Sequence, residues 1–145
     1  MTTQEAPSAD NLIEFVQNES ERVLSACTQC GLCFAACPMK RYADGDISAA
    51  DPKSVVGGIL SILRGEQGAP ESLAWAGVCM ASGECIPACP ENVNPLLMVR
   101  MARMIAGGGT GLAPQMKVPD DIMHFPRVRT YARMQLSSDE INEWL

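Results

Sequence analysis

All seven cysteines of this 145-residue chain fall in two short runs, and each run closes on Cys-Pro. In CTQCGLCFAACP, residues Cys27, Cys30, Cys33 and Cys37 follow the C-x₂-C-x₂-C-x₃-C-P spacing in which thiolates hold iron–sulfur clusters. In CMASGECIPACP, residues Cys79, Cys85 and Cys89 keep the same frame, with Ser82 where the second cysteine would stand. Zinc is the competing reading of the first run. Zinc ribbons pair cysteines across a long gap, however, and four thiolates this closely spaced are hard to wrap around one tetrahedral ion. Two such runs in so short a chain predict an electron carrier with two clusters. The serine predicts that the two are unlike.

Where two clusters share a fold, the first three cysteines of a run bind one cluster and the fourth binds the other. Cys27, Cys30, Cys33 and Cys89 would then hold a complete 4Fe–4S cluster. Cys37, Cys79 and Cys85 would hold the second, with Ser82 beside its fourth corner. A neutral hydroxyl is a poor ligand for iron compared with a thiolate. The second cluster is therefore expected to be 3Fe–4S. The alternatives are a 4Fe–4S cluster bound by the Ser82 oxygen and one whose open iron takes water or a substrate. A Ser82 that merely fills space or hydrogen-bonds a sulfide weighs more than one that ligates.

The elements that must position these runs read as helices. Leu12, Phe15, Val16, Val23 and Leu24 recur at helical spacing between about Asp10 and Leu24, with Glu14, Glu19 and Glu21 on the other face. Gly31 lets the backbone wrap tightly inside the first run. Asp51-Pro52 is an N-cap followed by proline, opening a helix whose apolar stripe runs from Val55 to Leu63. A short helix over Pro70–Ala76 leads into the second run. Asn94-Pro95 repeats the cap device and opens a helix through Ile105, stopped by Gly107, Gly108 and Gly109. No segment alternates as a strand does, so the expected class is all-α. Residues 1–9 read as disordered and 10–110 as the two-cluster domain. Residues 111–145 read as a docking arm, with a Ser137/Glu140 capping box opening a last short helix.

The formal net charge of −6 and the lack of a basic patch argue against nucleic acid. No apolar stretch approaches the ~20 residues of a membrane span. MTTQEAPSADN has neither the positive region nor the apolar region of a secretory signal. An odd cysteine count in metal-type spacing reads as reduced thiols, so a cytoplasmic location is expected. Cluster bonds are expected to replace part of a conventional core, leaving the apo-protein poorly folded.

The second run and its continuation ENVNPLLMVRMARMI resemble the α-helical ferredoxin domain of the iron–sulfur subunits of succinate dehydrogenase and fumarate reductase. There, the missing second cysteine accompanies a 3Fe–4S cluster, which implies Cys37, Cys79 and Cys85 as its ligands. No counterpart of the 2Fe–2S domain of those subunits is expected here. As a short helical ferredoxin it looks more like the C subunit of heterodisulfide reductase and its bacterial relatives, over roughly residues 20–110. That resemblance implies electron relay between a flavin-containing subunit and a partner with cysteine-rich domains. Ser82 departs from the usual second run of that family, which has all four cysteines.

Other residues read more plainly. Met98, Met101 and Met104 form a stripe that is core or an adaptable docking face. Arg100, Arg103, Arg127, Arg129 and Arg133 read as solvated, or as contacts for an acidic partner. His124 reads as a packing or surface residue, and Trp75 as shielding for a cluster. No P-loop, GxGxxG or paired nucleophile and base appears. An electron-transfer subunit is the leading function. The alternative is an enzyme subunit whose incompletely ligated cluster binds a substrate or acts as a Lewis acid.

Overall fold

The computed structural model describes residues 11–116, 129–130 and 132–144. Among these residues there are helices and no strands. In chain order the helices are α1 (Leu12–Ala26), α2 (Leu32–Ala35), α3 (Pro52–Leu63), α4 (Pro70–Val78), α5 (Pro95–Ala106) and α6 (Ser138–Trp144), with one 3₁₀ turn at Lys40–Tyr42.

Local chemistry sets the helix starts. The Asn11 side chain accepts the Glu14 N–H at 2.9 Å, and the Asp51 carboxylate accepts the Ser54 N–H at 2.8 Å. Asn94 accepts the Leu97 N–H at 3.1 Å. Pro52, Pro70 and Pro95 open α3, α4 and α5, where proline costs no helix bond. The cap of α1 is thus Asn11. The helix also runs two residues past Leu24, because the Cys27 N–H closes its last turn on the Val23 carbonyl at 2.8 Å. Helix α4 likewise continues beyond Ala76 to Val78. Both helices deliver the chain directly into a cysteine run.

Helices α3, α4 and α5 pack against one another, and α1 lies across α3 and α5. Their shared core holds Val23, Val56, Ile59, Ile62, Trp75, Met98, Met101 and Ile105. Met98 and Met101 are therefore core, while Met104 is half-buried. Gly58 and Ser72 mark the closest approach of α3 and α4. A Cβ on Gly58 would lie 2.1 Å from Ser72 Oγ, which donates to the Val55 carbonyl at 2.7 Å.

Glu19 departs from the expected solvent face of α1. It is buried, and it is held by Arg22, whose Nε donates to Oε2 at 2.9 Å and whose Nη2 pairs with Oε1. The adjacent guanidinium offsets the cost of taking a carboxylate out of water.

Beyond α5, Gln115 ties the chain back to the helical unit. Its side chain accepts the Gly68 N–H at 2.7 Å and donates to the Glu66 carbonyl at 2.8 Å. The capping box is present: Ser137 N–H and Oγ each donate to Glu140 Oε2 at 2.8 Å. Residues 1–9, His124 and Arg127 lie outside the described residues, whereas Arg100, Arg103, Arg129 and Arg133 are exposed.

Candidate iron–sulfur centres

The two cysteine runs share one backbone. Two residues after the first cysteine, Gln29 has φ +56° and Ala81 has φ +59°. Four residues after it, Gly31 has φ +85° and Gly83 has φ +81°. The last cysteine of each run closes the same turn. Cys37 N–H donates to the Phe34 carbonyl at 3.1 Å, and Cys89 N–H to the Ile86 carbonyl at 3.3 Å. Non-glycine residues at positive φ are uncommon, so Gln29 and Ala81 at matching positions indicate one repeated fold rather than coincidence. The position held by Cys30 in the first copy is held by Ser82 in the second.

Each run is docked differently. The first is pressed onto the start of α3: the Gln29 amide donates to the Lys53 carbonyl at 2.9 Å and fills the space left by Gly57. A Cβ on Gly31 would lie 2.6 Å from Pro52 Cβ. In the second, nothing lies within 4 Å of a Cβ placed on Gly83. Phe34 is buried, whereas its counterpart Ile86 is 43% exposed, as is Met80 at 73%.

The runs enclose two cavities and exchange residues between them. Cys27, Cys30, Cys33 and Cys89 line the first, with Val56, Glu91, Val93, Pro95 and Met98 among its walls. Cys37, Cys79, Cys85 and Ser82 line the second, with Met39, Trp75, Met80, Leu96 and Val99. Helix α5 is the wall between them, giving Pro95 and Met98 to one and Leu96 and Val99 to the other. Trp75 packs edge-on against Phe34 with ring centroids 5.2 Å apart, and Lys40 Nζ sits 5.2 Å from the centroid of the same Phe34 ring.

None of the seven cysteines forms a disulfide. Burial pushes the Cys33 thiol up to about 12, and Cys27, Cys30 and Cys85 add to the rise. Burial also raises Cys27, while the Gln29 N–H favours its thiolate and Cys89 and Cys30 oppose it. Burial raises Cys85, with Cys79, Cys37 and Cys89 contributing. The thiols thus sense one another in the same two groups that line the cavities, and Cys33, Cys85 and Cys89 link the groups. Thiols whose ionisation burial disfavours are stabilised as thiolates by a bound metal.

Residues 26–94 match the family model described as a 4Fe–4S dicluster domain. The chain carries a 4Fe–4S ferredoxin-type domain. Among curated proteins, it is similar to the C subunit of the ferredoxin:CoB-CoM heterodisulfide reductase of Methanosarcina acetivorans, with 31% identity over 84 residues. That stretch is 57% of this chain and 30% of the relative, so the chain spans under a third of the relative's length. No solved structure matches the chain.

The residues present suit the cofactor of a 4Fe–4S ferredoxin-type domain. Among the described residues, no three His, Cys, Asp or Glu side chains converge closely enough to hold one metal ion. A cluster places each thiolate on a separate iron, so its ligands stand farther apart than the four sulfurs around one zinc. The apolar walls supply the low-dielectric surroundings that help set cluster potentials. Sequence reasoning does not single out Glu91 and Met39. Their signal is positional, since each directly follows a Cys-Pro and lines the same cavity as that cysteine.

Proposed function

We propose that this chain is the electron-transfer subunit of a multi-subunit redox complex. It relays single electrons between a flavin-containing subunit and one with cysteine-rich domains, in the cytoplasm. Cys27, Cys30, Cys33 and Cys89 hold a 4Fe–4S cluster. Cys37, Cys79 and Cys85 hold a 3Fe–4S cluster, with Ser82 at its vacated corner. The observation that carries this reading is the exchange of the fourth cysteines: Cys89 lines the cavity of the first run, and Cys37 that of the second.

The clusters supply one-electron chemistry when bound. The chain's own residues do the rest. They wall the two sites with aliphatic, methionine and tryptophan side chains and set them on either side of α5, so that the path between them is short. The likeness to the C subunit of a heterodisulfide reductase supports the presence of partner subunits. Among the described residues, no helix is long and apolar enough to cross a membrane.

Exposure of Ser82 at the second cavity favours one other reading, in which an open iron binds a substrate. Lewis-acid chemistry also needs groups that move protons. Among the described residues, no titratable side chain apart from its cysteines lines the second cavity. Electron transfer is the better account.

Anaerobic isolation of the tagged chain from its native host tests it. The reading expects a flavoprotein and a cysteine-rich subunit to co-purify, and reduced chain to be reoxidised by that complex. A chain that isolates alone and changes its second-cluster spectrum on adding a substrate would support the enzyme reading instead.

A further inference from the structure

The two cavities differ in charge at one equivalent position. Each Cys-Pro is followed by a residue that lines the cavity of that cysteine: Glu91 after Cys89-Pro90, and Met39 after Cys37-Pro38. Among the described residues, Glu91 is the only charged side chain lining the first cavity, and none lines the second. Glu91 is exposed where it lines the first cavity, and its charge bears on the Cys27 thiol.

We infer that Glu91 lowers the reduction potential of the first cluster relative to the second, biasing a shared electron toward the second. The inference rests on the two-cluster reading. Adding an electron makes a cluster more negative, and a fixed carboxylate alongside opposes this. Met39 exerts no such opposition at the second cavity. In the exchange, the first cluster loses one electron and the second gains it, with no bond formed or broken. The asymmetry gives the wire a direction independent of its partners.

Redox titration of the anaerobic, cluster-loaded protein, followed by EPR of each cluster, tests this on wild type, Glu91→Gln, Glu91→Asp and Glu91→Lys. Removing one partly solvated charge should favour the reduced first cluster by on the order of tenfold, or about 59 mV upward for one electron. Glu91→Lys should move it about twice as far in the same direction, and Glu91→Asp should keep most of the wild-type value. The second cluster should move less than about twofold, being farther from the charge. An unchanged first cluster in Glu91→Gln, or equal shifts in both clusters, would overturn the inference. Metal analysis on the same samples separates the two failures: a chain with one cluster breaks the two-cluster reading itself, whereas two clusters insensitive to Glu91 break only this inference.

Discussion

Replacing Gly31 by alanine should weaken the protein far more than the same change at Gly83, although both glycines have nearly the same backbone. At φ +85° and +81°, each substitution places an L side chain in the left-handed region, at a cost of about 1–2 kcal/mol. Each also lowers the entropy of the unfolded chain, which offsets about 0.4–1 kcal/mol. The difference lies in what the new methyl meets. At Gly31 it would stand 2.6 Å from Pro52 Cβ and 2.8 Å from the Pro52 carbonyl carbon, which belongs to the first turn of α3 and cannot rotate away. At Gly83 it would meet nothing within 4 Å. Overpacking of this kind costs about 1–3 kcal/mol. Gly31→Ala is thus expected to lose about 2–4 kcal/mol in all, and Gly83→Ala about 1 kcal/mol or less. For a chain of this length, thermal midpoints should fall by roughly 10 °C for Gly31→Ala and by roughly 3 °C or less for Gly83→Ala. Anaerobic melting of the cluster-loaded protein, read by circular dichroism and cluster absorbance together, measures both. Equal losses for the two variants would refute the claim that the first run is pressed onto α3.

Three further outcomes follow from the same geometry. Ser82→Cys should restore the missing thiolate at the backbone position equivalent to Cys30 and raise iron from about seven to about eight per chain. Metal analysis with loss of the oxidised-state EPR signal checks it. Gly58→Ala should destabilise by about 1–2 kcal/mol, since overpacking against Ser72 outweighs the gain in helix propensity. Adding Ser72→Gly should recover part of that loss, which denaturant melts of the double mutant would show as non-additivity. The Glu140 carboxyl should titrate below the usual glutamate range, because the backbone N–H and then the hydroxyl of Ser137 favour its ionised form. The depressed value means that its contribution to α6 is present above the ordinary glutamate value and is lost as pH falls through the lowered one. Carboxyl-carbon NMR titration should show the midpoint rising in Ser137→Ala.

Much of the helical framework was legible because its signals are local. Asp51-Pro52 and Asn94-Pro95 act within one turn, and so does the Ser137/Glu140 box. The apolar pattern ends α1 and α4 two residues short, since each helix persists until its cysteine run takes over the backbone. Burial of Glu19 was not legible, because it depends on Arg22 folding back over it as much as on the apolar stripe. Gly57 and Gly58 are weak points in a helix by propensity alone. Their reason is tertiary, one making room for Gln29 and the other for Ser72. The cysteine spacing indicated which sulfurs could group, and the structure brings those groups around two cavities. It could not indicate that Ala81 and Gln29 adopt the same strained conformation, which is what places Ser82 at the counterpart of Cys30. Nor could it reveal that Glu91 and Met39 face different cavities from matching positions.

The central claim is that the chain holds two unlike clusters with ligands exchanged between its runs. Iron and sulfide analysis of anaerobically purified protein, with low-temperature EPR before and after dithionite reduction, tests it most directly. The account predicts about seven irons per chain, an oxidised-state signal from a 3Fe–4S cluster, and a second signal from a 4Fe–4S cluster after reduction. A colourless chain holding zinc would contradict the account entirely. EPR silence when oxidised, with about eight irons, would contradict the 3Fe–4S assignment and place a non-cysteine ligand at the second cluster.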